Sequence, residues 1–149
     1  MDNNTDIQAL TSLIETTLDS ADGYEEAATG ARGSTLQSML RKRSEARRAV
    51  ALMLQESVRA LGGEPDEEGT ALACAHRFLL NLPTGGKGHD TESIVAEVQR
   101  GEAYLKAQFA SAMQNPAVSP HTMKTIADAR RRICSRREPA HGLNRVLHG

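Results

Sequence analysis

Tryptophan is absent from this 149-residue chain, and tyrosine and phenylalanine occur only twice each. A core so poor in aromatics has to be built from aliphatic side chains, and the lack of β-branched and aromatic runs argues against sheets and for helices. Cysteine is also scarce. Cys74 and Cys134 stand alone, without CxxC spacing, which excludes a disulfide framework and a thiolate metal site. Each is expected to act as a small buried hydrophobe in a reducing compartment. No apolar run approaches the roughly 20 residues a membrane span needs. The opening MDNNTD is polar and acidic, so no secretory leader is expected, and the expected location is the cytoplasm. Lysine and arginine are missing from residues 1–29, which hold seven acids, while residues 119–149 hold seven bases against Asp128 and Glu138. In a chain of net charge −1, opposite charges facing each other across helices explain this asymmetry better than a nucleic-acid surface does.

What is present is helical periodicity. The 39% hydrophobic content suffices for one core, and a chain of this length buries roughly 68–70% of its unfolded surface. The first segment opens with Thr5-Asp-Ile-Gln8, read as a capping box, and carries Ile7, Leu10, Ile14, Ala21, Tyr24 and Ala28 on one face. Gly30 and Gly33 end it. The second opens with a similar box at Ser34–Gln37, carries Leu36, Leu40, Val50, Leu54 and Leu61, and stops at Gly62-Gly63. The third starts near Asp90, shows Ile94, Val98, Leu105, Phe109 and Ala112, and ends at Asn115-Pro116. The fourth starts at Ser119-Pro120, a cap residue followed by proline at the first helical position. Its expected face is Met123, Ile126, Ala127, Ile133 and Cys134, closed by Pro139. Residues 62–90 are too long for a tight turn, and 70–82 within them suit a short helix containing His76. The predicted fold is all-α: an up-and-down four-helix bundle over residues 1–138, a long crossover between the second and third helices, and a frayed tail at 139–149.

Three stretches in order, DIQALTSLIETTLDSADGYEEAA, LGGEPDEEGTALACAHR and ESIVAEVQRGEAYLKAQF, resemble the uncharacterised bacterial ferritin-like proteins grouped as a domain of unknown function and linked to stress. Leu13-Ile14-Glu15, Asp19, Tyr24, Ala27-Ala28, Leu61-Gly62-Gly63, Pro65, Gly69, His76-Arg77, Glu97, Arg100, Gly101 and Glu102 carry the resemblance, over roughly residues 6–113. It implies a ferritin-like bundle, and with it iron or manganese as the metal such a bundle would hold. Departures stand at Thr29, where the family pattern puts a glutamate, at Val98 in place of a cysteine, and in RRRICSRREP, where a histidine would be expected.

A ferritin-like di-iron centre draws one glutamate from each of two helices and a Glu-x-x-His pair from each of the others. At 100° per residue, Glu25 lies beside the seam of the first helix, Glu102 adjoins that of the third, and Glu97 sits farther out. The second helix places Glu45 outward and Arg43 and Arg47 inward, and the fourth puts Arg130 on its face. Two expectations follow with equal weight, neither needing a cofactor: a buried network of Arg43, Arg47 and Arg130 facing Glu25 and Glu102, or long arginines that snorkel out from the edge of the stripe. The alternative is an iron or manganese oxidase or storage protein with Glu25, Glu97, Glu102 and His76 as ligands. Gly85-Gly86-Lys87-Gly88 lacks the full phosphate-loop pattern and a preceding strand. The chain is thus expected to be a non-enzymatic bundle acting through protein association, as a homodimer or with a partner, on a flank of Met53, Ala46 and Ala49. Nucleic-acid binding through Arg41–Arg48 and Arg130–Arg137 is the least favoured reading.

Overall fold

Apolar side chains recurring every three or four residues form four helices in the computed structural model, which describes residues 3–65 and 91–134. They are α1 (Asn4–Gly30), α2 (Ser34–Ala60), α3 (Thr91–Met113) and α4 (Pro120–Ile133), with no strand among the described residues. The short helix expected at 70–82, the Asp90 start signal, Cys74 and the tail at 139–149 lie outside them.

Two apolar layers fix how the helices run. In one, Leu10, Ile14 and Leu18 of α1 meet Val50, Leu54 and Val58 of α2, Leu105 and Phe109 of α3, and Ile126 and Ile133 of α4. In the other, Tyr24, Ala27 and Ala28 of α1 meet Leu36 and Leu40 of α2 and Ile94, Val95 and Val98 of α3. The early part of α1 therefore shares a layer with the late parts of α2 and α3. Those two helices run parallel to each other and antiparallel to α1. The C-terminus of α2 and the N-terminus of α3 lie at opposite ends of the bundle. α1 packs on α2 and α3, and α4 packs on the same two, so α2/α3 and α1/α4 are the diagonals. Small residues bring α1 and α2 close. Ala21 and Ala51 are fully buried, and the Ser44 hydroxyl donates to the Ala21 carbonyl at 2.7 Å.

The helix ends differ in part from expectation. Neither capping box forms. The N-cap of α1 is Asn3, two residues before Thr5, and its side-chain amide donates to the Leu61 carbonyl at 3.2 Å. The N-cap of α2 is Gly33 at φ +89°, and the Gln37 amide turns back to the Ala31 carbonyl at 2.9 Å. α2 closes in a Schellman motif, with Gly63 N–H donating to Val58 and Gly62 N–H to Arg59, both at 3.0 Å. Gly62 takes the left-handed conformation at φ +88° that this motif demands. A Cβ on Gly63 would fall 2.9 Å from Val58 Cγ1, so only glycine lets this end settle against the core.

Some surface expectations need correction. Cys134 is exposed at the end of α4 rather than buried. Met53 is half-buried against the core, and the large apolar side chains left exposed among the described residues are Leu52 and Tyr104. The acids of α1 are met mainly by α2: Asp22 pairs with Arg48 at 2.6 Å, and Glu25 lies 3.8 Å from Arg41.

α4 is docked by a charge that lies on the buried stripe of α1, one turn before Leu10. The Asp6 carboxylate accepts from the Ser119 N–H at 2.9 Å, the Ser119 hydroxyl at 2.5 Å and the Thr122 hydroxyl at 2.8 Å. Ser119 Oγ also accepts from the Thr122 N–H at 3.4 Å, and Pro120 opens the helix, so the expected start signal is present with a carboxylate added from across the bundle. Burial pushes the Asp6 carboxyl up, but the hydrogen bonds from Ser119 and Thr122 outweigh it and hold the group below its ordinary value. A depressed folded pKa contributes stability that is present above about pH 5 and lost as pH falls through the folded value. Asp6→Ala is expected to cost about 2 kcal/mol in urea unfolding at neutral pH. The gap to wild type should narrow as pH is lowered from about 5 to 3.

Candidate functional site

The run Arg41-Lys-Arg-Ser-Glu-Ala-Arg-Arg48 places five bases on one helix, and helix geometry sorts them. Arg43 and Arg47, four residues apart, share the inward face of α2, whereas Arg41 and Arg48 turn toward the acids of α1. Glu102 approaches from α3 along the bundle diagonal, on the face that carries Val98, Leu105 and Phe109.

The Glu102 carboxylate is gripped from both sides. Oε1 accepts from Arg47 Nη2 at 2.6 Å and Nε at 3.2 Å, and Oε2 lies 2.7 Å from Arg43 Nη2. Lys106, one turn farther along α3, adds a third cation 3.8 Å from Oε2. Tyr24 of α1 lines the cluster, with the Arg43 and Arg47 guanidinium carbons 5.1 and 6.0 Å from its ring centroid. Arg47 is fully buried, and Arg43 and Glu102 are nearly so.

Burial by itself raises the Glu102 carboxyl, but the Arg47 and Arg43 guanidiniums more than offset that and hold it below its usual range. Glu102 is thus an anion at neutral pH. Burial pushes the Tyr24 phenol far above its usual value, with the Glu102 charge adding to the effect, so Tyr24 stays protonated. Its hydroxyl faces the carboxylate without closing a hydrogen bond of good geometry.

The other candidate residues do not gather here. Arg130 is exposed: the buried stripe of α4 is Thr122, Ile126, Ala129 and Ile133, and the position after Ala129 is rotated 100° away from it. Glu25 is half exposed beside Arg41, and Glu97 pairs with Arg100 on its own helix. His76 lies outside the described residues. No group of three or more metal-ligating side chains occurs among the described residues. Both oxygens of Glu102 are already engaged by fixed positive charges, which would repel a metal cation. The described residues do not fit the di-metal centre that a ferritin-like bundle would imply.

Tyr24 and Lys106, which border the cluster, and the Asp6 dock are contacts that the spacing analysis left unassigned. Two of them had a signal: Asp6 falls on the stripe of Leu10, Leu13 and Thr17, and Lys106 stands four residues after Glu102. Chemically, the centre is a closed ion-pair cluster with a hydroxyl and an ammonium at its border. Glu102→Gln leaves two buried guanidiniums short of their counter-ion and should destabilise by about 3–5 kcal/mol. Replacing all three with Arg43→Met, Arg47→Met and Glu102→Leu should instead leave stability unchanged or raised in chemical denaturation.

No curated protein matches the chain. The family model described as Domain of unknown function (DUF2383) matches residues 5–115, from the first turn of α1 to the residues that follow α3. The chain belongs to that family.

Proposed function

We propose that this protein is a ferritin-like bundle, bacterial and cytoplasmic, in which a buried Arg–Glu–Arg cluster stands where a metal pair would sit. On this reading it works by associating with other protein chains rather than by catalysis, with a role in stress response. The ferritin-like reading is supported by the sense of the helices, since α2 and α3 run parallel on a diagonal and call for a crossover the length of the bundle, as in ferritin-like folds. The bundle would take in residues 1–138, with the expected short helix in its crossover. The stress and bacterial assignments rest on the sequence resemblance alone.

One observation carries the proposal: the central carboxylate, Glu102, is neutralised by Arg43 and Arg47. A cluster of this kind offers no open coordination position, and its carboxylate, held below the usual range by Arg47 and Arg43, is a weak general base. The same pairing weakens the nucleic-acid reading, since Arg41, Arg43, Arg47 and Arg48 are spent inside the bundle or on α1. Association is supported by exposed Leu52 and Tyr104, on the outer faces of α2 and α3. No described helix is long and apolar enough to cross a membrane.

Elemental analysis of untagged protein grown with added iron and manganese is expected to find only substoichiometric traces. About two equivalents of either metal per chain would overturn the proposal in favour of an oxidase or storage protein. Sedimentation over a concentration range is expected to show a dimer or larger species that Tyr104→Glu or Leu52→Glu dissociates. A monomer at every concentration, with no protein partner, would count against association.

A further inference from the structure

The outer face of α2 carries an apolar side chain between charges of opposite sign. Leu52 is 51% exposed, on the side of the helix turned away from buried Val50 and Leu54. Glu45 stands seven residues before it and Arg59 seven after. At 100° per residue, that spacing puts all three close to one line along the helix. All three are exposed, and so are Ala49 and Glu56 on one flank of the line. Neither Glu45 nor Glu56 has an ion-pair partner among the described residues. The line therefore reads acid, leucine, base at equal steps. Turned end for end, it is its own complement.

We propose that this face binds the same face of a second copy of this chain, the two α2 helices lying antiparallel about a two-fold axis at Leu52. The inference rests on the association reading above and names its surface and its partner. In this register Leu52 packs on Leu52 of the second copy. Glu45 of each chain meets Arg59 of the other, so one contact is made twice, as a two-fold interface requires. Glu56 comes level with Arg48 of the second copy, whose side chain is 48% exposed. A guanidinium carries five donors, so Arg48 can serve Asp22 and that glutamate together. Other arrangements are disfavoured by charge or by burial. Parallel helices would set Glu45 against Glu45 and Arg59 against Arg59. An antiparallel pair shifted by one turn sets Glu45 level with Glu56 in one direction, and Leu52 level with Glu56 in the other. Ion pairs in water fix orientation and register more than strength, and one leucine contact is small, so the dimer belongs to the weak, transient class. Tyr104 lies on α3, diagonal to α2, and is no part of this face.

The test is sedimentation equilibrium of the full chain at low ionic strength, where exposed charges are least screened. Wild type is expected to show a monomer–dimer equilibrium. Glu45→Arg and Arg59→Glu each set like charges together at two places and should raise the dimer Kd about tenfold. The double variant restores the pair with its signs reversed and should return the Kd toward the wild-type value. As a second readout, Leu52→Cys in a chain with Cys74→Ser and Cys134→Ser should give a disulfide-linked dimer on mild oxidation, because the axis brings the two thiols together. A dimer whose Kd ignores the charge reversals and that Leu52→Cys does not cross-link overturns this face and leaves association standing. So does a dimer that Tyr104→Glu dissociates and the α2 variants do not. A wild-type monomer at every concentration overturns this face and self-association together.

Discussion

Two guanidinium groups can sit inside an aliphatic bundle only if their charge is met there, because the desolvation of an unpaired ion costs several kcal/mol. Glu102 does this for Arg43 and Arg47, and much of the architecture follows from its position. The carboxylate belongs to α3 and the arginines to α2, which are diagonal rather than adjacent helices. Bringing them together sets the axial register of α3 against α2 and fixes which faces look inward. The Tyr24 ring lies against both guanidiniums, so α1 is held to the same register. A leucine core would pack in several registers at similar cost, whereas this cluster is satisfied in one.

The second diagonal has its own polar tie at the end of the bundle. Asp6 in the first turn of α1 accepts from Ser119 and Thr122 at the start of α4. The carboxylate both satisfies donors that a helix N-terminus leaves open and places negative charge where the helix dipole favours it. α4 is short, with 14 residues against 27 in α1 and α2, and it reaches only the layer that contains Leu10, Val50 and Phe109. The family match ends at residue 115, so Asp6 lies within it and its partners Ser119 and Thr122 lie beyond. Any relative that keeps the aspartate but changes those partners would have to dock its last helix by other means.

The distribution of charge also bears on function. A run of basic residues on α2 looks from the sequence like a surface for an acidic ligand. In the fold it divides by angle, with Arg43 and Arg47 turned to the core and Arg41 and Arg48 to α1. On α4, Arg131 pairs with Asp128, and Arg130, Arg131 and Arg132 are all exposed. The inward-facing bases of α2 are therefore gathered in one interior ion-pair cluster bordered by Lys106 and Tyr24, not spread along a basic surface.

The sequence by itself determined the helices. Heptad-like spacing of Leu, Ile and Val marks the inward face of each segment to within a residue or two, and that spacing also turned Arg43 and Arg47 inward and Glu45 outward. Gly62-Gly63 marked the end of α2 because only glycine takes the conformation there without strain. The spacing misplaced Arg130 because four or five apolar residues on a short helix define its face poorly, and a shift of one position moves a side chain by 100°. Local signals also failed at Thr5 and Ser34, where Asn3 and Gln37 found better partners in the folded chain. Only tertiary structure decided which acid met which base. Glu25, Glu97 and Glu102 look alike along the chain, and what separates them is that Glu102 alone lies where α2 and α3 face each other across the dry centre of the bundle. There, pairing with a guanidinium is the condition for burying a carboxylate at all.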